Sequence, residues 1–182
     1  FMDKVESQVV KPTIAGIQQE NIGYKGFIFI GLMNVNGEPY VIEYNVRMGD
    51  PETEAVIPRI KNDLVDIFIK TSEQKLDQVN LDIDSRTATT VVLVAEGYPG
   101  SYEKGKHITG IIENKNSLIF HAGTKDEGEQ VVSNGGRVMA ITGLGDDIQE
   151  ALNNAYETCN RINWEGKNFR KDIGQDLLAL EK

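Results

Sequence analysis

The chain has 182 residues, 40% of them hydrophobic, enough to bury a core in one domain or two small ones and too many for a wholly disordered polymer. A formal net charge of −9 argues against a nucleic-acid surface, which needs clustered Lys and Arg, but leaves room for a small phosphate ligand held by a few local donors. No run of about 18 apolar residues could span a membrane, the start "FMDKVESQ" lacks the basic-then-apolar order of a signal peptide, and the single Cys159 cannot form an internal disulfide; together these fit a reducing cytoplasm. The only histidines are His107 and His121, so a divalent ion would have to rely mainly on oxygen ligands.

In chain order, Val5, Val9, Ile14 and Ile17 recur at near-helical spacing, and Pro12 predicts a helix that kinks or restarts. "GFIFIGLM" (26–33) is a continuous apolar run, predicting a strand buried on both faces. Asn36-Gly37 is a strong hairpin signal, and "YVIEYNV" is the returning strand. Asp50-Pro51 predicts a helix entry with Asp50 as N-cap, broken at Pro58, after which Ile60, Leu64, Ile67 and Phe68 continue as an amphipathic helix. The polar stretch 77–86 predicts a domain boundary, with one domain over 1–85 and a second over 86–182. Beyond it the texture turns to β: "TTVVLVAE", "HITGII", "SLIFHAG" and "QVVSNGGRVMAIT" read as strands, the last as two joined at Asn134-Gly135-Gly136. Asp146 then caps a helix with Ile148, Leu152, Ala155, Cys159 and Ile162 on its inner face.

The chemistry concentrates in "VIEYNVRMGDPETEAV" (41–56). Alternation puts Tyr40, Ile42 and Tyr44 on one face of the strand and Val41, Glu43, Asn45 and Arg47 on the other. The polar row steps by about 7 Å. A carboxylate and an amide oxygen in such a row suit a hard cation such as Mg²⁺, and the guanidinium beyond them is a fork for carboxylate or phosphate. Metal and Arg in one cleft fit phosphoryl transfer. The competing reading is an edge strand with a solvated polar face. Against it stand the apolar partner strand, which suggests a central position, and the run of the row into Asp50-Pro51-Glu52 at a helix N-terminus.

"EYNVRMGDPET" resembles the Glu-x-Asn-x-Arg metal signature of the ATP-grasp superfamily, and its Gly-Asp-Pro-Glu-Thr continuation resembles the glycinamide ribonucleotide synthetases. "YKGFIFIGLM", "AEGYPGSYEKG", "FHAGTK", "NGGRVMAITG" and "RKDIG" follow the order of that family, so the likeness covers essentially the whole chain. It implies an α+β fold: the C-terminal half of an ATP-grasp core, antiparallel strands with helices, followed by a small β-rich domain with a helix. It also implies an ATP-dependent carboxylate–amine ligase of purine synthesis. Such an enzyme joins glycine to 5-phosphoribosylamine through a glycyl phosphate, with ATP as substrate and Mg²⁺ (or Mn²⁺) as cofactor.

By match, Glu43 and Asn45 would hold the metal. Arg47 would be the catalytic residue, steadying the transferring phosphoryl group or the glycine carboxylate. Asp50 and Glu52 would bind substrate amino groups, with Thr53 as a further hydroxyl contact; capping and the helix dipole are the structural alternatives for the two acids. Lys125 and Arg137 are candidates for the ribose phosphate, against the plain readings of a solvated loop lysine and an exposed hairpin arginine. His121 and Cys159 read as structural. Many ATP-grasp enzymes carry a further carboxylate where this chain has Gly31, which puts a site built from three protein ligands in doubt.

The resemblance also implies an N-terminal domain and an ATP-covering lid that nothing here supplies. The expectation is therefore the C-terminal portion of the enzyme, inactive alone, whose partner is the missing N-terminal part. The other readings are a related ATP-grasp carboxylate–amine ligase with another substrate, or a non-catalytic binding module on the same scaffold.

Overall fold

The protein is described here, as a computed structural model, over residues 1–180. It divides into two compact units, one of residues 1–49 with 62–81, the other of residues 50–61 with 82–182. The chain therefore leaves the first unit, contributes twelve residues to the second, and returns. Mixed helices and antiparallel sheets make this an α+β protein.

In the first unit, α1 (Met2–Val5), a π-helical turn (Glu6–Val10) and α2 (Lys11–Gln19) run as one uninterrupted helical segment. The predicted kink at Pro12 is absorbed rather than formed. The π turn slips the hydrogen-bond register, so that the Lys11 N–H donates to the Glu6 carbonyl five residues back, and Pro12 stands in the first turn after that slip, where its missing N–H is tolerated. Val5 and Val9 are buried. Against this segment lies a hairpin of β1 (Phe29–Val35) and β2 (Glu38–Asn45). Its turn is the predicted Asn36-Gly37, both at positive φ, 53° and 85°, which makes the short loop fit the strand twist. Tyr44 Oη lies 3.0 Å from Thr13 Oγ1, and Lys4 donates to Glu38 and, at 3.1 Å, to the Gly37 carbonyl. α4 (Leu64–Ser72) is capped by Asp63, which accepts from Val65 and Asp66, and Phe68 packs edge-on to Phe27 at 6.1 Å.

The expectation that β1 is a central strand buried on both faces is not met. Among the described residues the sheet has two strands, and Met33 and Val35 are exposed. An apolar run cannot by itself tell burial on two faces from burial on one with the other face left open.

The second unit is built on an antiparallel sheet in the order β4 (Ser117–His121), β7 (Arg137–Gly145), β3 (Thr87–Ala95), β8 (Lys167–Asn168). α5 (Ile148–Arg161) covers one face. Val91, Leu93, Met139, Ile141, Ala155, Cys159, Ile162 and Trp164 form the core. Gly143 and Gly145 let helix and strand meet closely: a Cβ on Gly143 would lie 2.1 Å from the Ala151 carbonyl oxygen. Burial pushes the Cys159 thiol up to about 12, a packing residue rather than a nucleophile. A separate hairpin pairs β5 (Thr124–Glu127) with β6 (Gln130–Ser133). The two strands predicted in "QVVSNGGRVMAIT" therefore exist but do not pair with each other; β6 takes β5 and β7 takes β3 and β4. "HITGII" forms only isolated bridges at His107 and Thr109. The cap of α5 is Asp147, one residue beyond the predicted Asp146; Asp147 accepts from the Glu150 N–H at 2.7 Å, and Glu150 reaches back past the cap to accept from the Asp146 N–H at 2.7 Å. α6 (Gln175–Leu180) ends the described chain.

The segment 50–61 packs on this second unit. It contains α3 (Thr53–Val56) and the 3₁₀ turn Ile57–Arg59. Thr142 Oγ1 donates to the Glu54 carbonyl at 2.8 Å, and the Arg59 Nε–H donates to the Asp84 carbonyl at 3.1 Å. Asp50 is not the helix cap. The Asp50-Pro51 bond is cis, the cap position falls on Glu52, and the Asp50 side chain is engaged elsewhere.

Candidate functional site

Two groupings of polar side chains stand out, one in each unit. In the first, β1 and β2 pair with a bulge: Gly31 faces Glu43 and Leu32 faces Val41, so Ile42 is the extra residue. Glu43 and Asn45 remain on one face, as alternation requires, and the Asn45 amide donates to Glu43 Oε1 at 3.1 Å. The contact shows that the two donor groups can reach one point in space. The chemistry of the pair, one carboxylate and one amide oxygen, fits a hard divalent cation that draws the rest of its shell from water and phosphate.

Gly31 decides how many protein ligands such a cation could have. A Cβ at residue 31 would sit 3.1 Å from Glu43 Cγ, so the absence of a side chain there gives Glu43 its space. Among the described residues no group of three or more His, Cys, Asp or Glu could hold a metal. Arg47 does not continue the strand. β2 ends at Asn45, and Arg47 lies in a bend, exposed, with its guanidinium donating to the Met48 carbonyl at 3.1 Å. The polar row is thus a pair on the strand followed by an arginine on a turn.

In the second unit, a cleft of about 510 Å³ is lined by Asp50, Glu54, Tyr98, Gly123, Gly136 and Arg137, over a floor that includes Met139 and Ala140. Arg137 opens β7, and its Nη2 lies 2.8 Å from Asp50 Oδ2. Gly136 belongs there sterically: a Cβ on it would lie 2.2 Å from the Tyr98 ring. Gly123 and Gly135 bring two backbones together, a Cβ on Gly135 lying 2.9 Å from the Gly123 Cα. Glu54 contributes the least ordinary atom: its Oε2 is buried with no hydrogen-bond partner among the described residues.

The other sequence candidates fall outside this cleft. Glu52 is exposed, and its carbonyl accepts from Ala55 and Val56 at the start of α3. Lys125 is exposed on β5, where Glu127 Oε1 at 2.8 Å holds its ammonium and raises its pKa. His121 Nδ1 lies 3.0 Å from Thr124 Oγ1, a local loop contact. A second cavity in this unit, about 390 Å³, holds Lys106 between Glu103 at 2.7 Å and Glu165 at 2.9 Å, and these carboxylates push the lysine up to about 12. With Glu96 beside them, acids outnumber the lysine there, and the cavity does not suit an anion.

Glu54 and Tyr98 escaped the sequence reading. The available signal for Glu54 was its i, i+4 spacing from Asp50.

Comparison with known proteins agrees with this architecture. The profile of the phosphoribosylglycinamide synthetase ATP-grasp (A) domain matches residues 1–53, and that of the phosphoribosylglycinamide synthetase C domain matches residues 88–176. A phosphoribosylamine–glycine ligase of Vibrio cholerae is 44% identical over 99% of this chain. The chain spans 43% of that relative's length. The crystal structure of phosphoribosylamine–glycine ligase from Thermotoga maritima superposes with a TM-score of 0.82 at 37% identity, over 94% of this chain and 42% of that one. The biotin carboxylase domain of a Hydrogenobacter thermophilus 2-oxoglutarate carboxylase shares the fold at 13% identity and a TM-score of 0.62, over 93% of this chain and 41% of that one.

Proposed function

Because the chain belongs to the phosphoribosylglycinamide synthetase family, we propose that it supplies part of an ATP-dependent ligase that joins glycine to 5-phosphoribosylamine, giving glycinamide ribonucleotide, ADP and phosphate in purine biosynthesis. In this reading residues 1–85 carry the phosphate end of the ATP site and residues 86–182 carry the closing β-rich domain.

The observation that supports it best is the Glu43–Asn45 pair opposite Gly31. A divalent cation such as Mg²⁺ or Mn²⁺ held by these two oxygens would neutralise the charge of the nucleotide phosphates as the γ-phosphoryl moves to the glycine carboxylate. Arg47 grips the transferring phosphoryl group or that carboxylate with its fork. The phosphoribosylamine amine then displaces phosphate from the glycyl phosphate. In the second unit Arg137 takes the ribose phosphate and Asp50 meets the amine, with Lys125 and Glu52 as outer contributors. No helix among the described residues is long and apolar enough to cross a membrane. Glycine is the proposed amino acid because the Gly-Asp-Pro-Glu-Thr run and the second-unit motifs point to one family.

The test is Glu43→Gln in the complete enzyme. The substitution keeps shape, removes one negative charge from an exposed side chain, and is expected to cut turnover by about 10²-fold or more while thermal stability changes little. Near-normal turnover in the variant would overturn the metal assignment. Equal turnover of the parent enzyme with other amino acids in place of glycine would favour a different carboxylate–amine ligase.

A further inference from the structure

The cleft of the second unit holds a carboxylate that the motif reading does not use. Resting on the proposal that an aminated sugar phosphate is a substrate, we infer that Glu54, rather than Glu52, is the group that recognises its amine, and that the Asp50–Arg137 ion pair is exchanged for the two ends of the ligand.

Three observations carry this. Glu54 Oε2 is buried and lacks a hydrogen-bond partner among the described residues. A carboxylate oxygen removed from water without a donor is costly, and a turn of the Glu54 side chain toward ligand N–H groups in the cleft relieves that cost. Glu54 lines the same cleft as Arg137 and Asp50, whereas Glu52 does not. Its main chain is fixed independently, because Thr142 Oγ1 donates to the Glu54 carbonyl at 2.8 Å, so the side chain is left to serve the cleft.

The ion pair supplies the second half of the argument. Arg137 Nη2 and Asp50 Oδ2 are 2.8 Å apart, with the two side chains 46% and 54% exposed. A pair so open to water is held weakly and exchanges readily. A phosphate alone could take Arg137, but it would leave Asp50 unpaired and set a further negative charge beside Asp50 and Glu54. A ligand with a phosphate at one end and an ammonium at the other replaces the single ion pair with two contacts: phosphate on Arg137, ammonium between Asp50 and Glu54. The cleft therefore selects the combination of charges and discriminates against the plain sugar phosphate. Its volume, about 510 Å³, accommodates a sugar phosphate.

The experiment titrates the 182-residue chain with glucosamine 6-phosphate and, separately, glucose 6-phosphate, followed by amide NMR shifts of the cleft glycines Gly123 and Gly136. The aminated probe is expected to bind about tenfold tighter, a difference of about 1.4 kcal/mol. Glu54→Gln keeps the shape and loses the charge, and is expected to reduce the preference to about threefold or less while leaving glucose 6-phosphate affinity level or slightly improved. Arg137→Leu is expected to weaken both probes, with the amide spectrum outside the cleft unchanged as the check on folding. Equal affinities in the parent chain, a preference that survives Glu54→Gln, or no saturable shift with either probe would overturn the inference. None of these outcomes touches the Glu43 turnover test or the exchange of glycine for other amino acids, which decide the reading of the complete enzyme.

Discussion

At the scale of single residues, Gly31 gives the Glu43 side chain its room on the hairpin. The two residues face each other across the hairpin, and a Cβ at position 31 would come within 3.1 Å of Glu43 Cγ. That distance is tight but the neighbour is a side chain, so Gly31→Ala should push Glu43 aside by a few tenths of an ångström and leave the fold intact. The expected outcome is a KM for the metal–nucleotide complex raised several-fold in the complete enzyme, larger for Gly31→Val, with a stability change below about 1 kcal/mol in a denaturant melt. An unchanged KM in both variants would show that Glu43 does not depend on this space. Glu43 and Asn45 were legible in the sequence because strand periodicity is a local property. Glu54 was not. Its main chain is held by Thr142, 88 positions away in the chain, and no local pattern encodes that placement. Arg47 lies between these cases: the alternation that placed it held only to Asn45, where pairing with β1 ends and the chain bends.

At the scale of elements, the strongest determinant of the second unit is the close seating of α5 on β7. A Cβ on Gly143 would meet the Ala151 carbonyl oxygen at 2.1 Å and the Ala155 nitrogen at 2.5 Å. Both are backbone atoms in mid-helix and cannot swing away, so Gly143→Ala must lift the helix from the sheet and loosen the contacts around Ala155 and Cys159. A loss of about 3 kcal/mol or more is expected in chemical denaturation. Gly16→Ala is the matched control: the same change in α2, with nothing within 4 Å of the new methyl, should stabilise by about 0.5–1 kcal/mol. Similar losses in both would mean that close packing is not the cause. The elements also show where sequence reasoning stops. The Asn36-Gly37 hairpin and α5 were readable because turn chemistry and helical periodicity are local signals. The helix across Pro12 was readable as helix, but the π turn that accommodates the ring was not. "HITGII" has the composition of a strand and yet only bridges, at His107 to Val132 and at Thr109 to Asn163, because its neighbours are a loop and the edge of a hairpin rather than a full-length strand.

At the scale of the whole molecule, the two units differ in how far they are finished. The second has a closed core, with Val91, Leu93, Met139, Ile141 and Ile162 fully inaccessible. The hairpin of the first leaves Tyr40 and Ile42 exposed by 59 and 63%, and Val46, just past its end, by 73%. Apolar side chains concentrated on one hairpin are ordinarily covered when the working protein is assembled, and the chain spans only 43% of the Vibrio cholerae relative's length. A ligase must exclude water from its acyl phosphate and bring phosphoryl donor, acid and amine together. The Glu43–Asn45 pair of the first unit, proposed to hold a cation, and the charged cleft of the second are not enclosed chambers. The 182-residue chain by itself is therefore expected to give no glycine-dependent release of phosphate from ATP, while the complete enzyme containing the same residues gives turnover that Glu43→Gln cuts by about 10²-fold or more. The measurement is phosphate release with and without glycine and the amine, at matched concentrations of chain and complete enzyme. Glycine-dependent release by the chain alone would mean that the groups described here are sufficient for acyl-phosphate formation, and that the rest of the relatives' length serves amine binding or regulation instead.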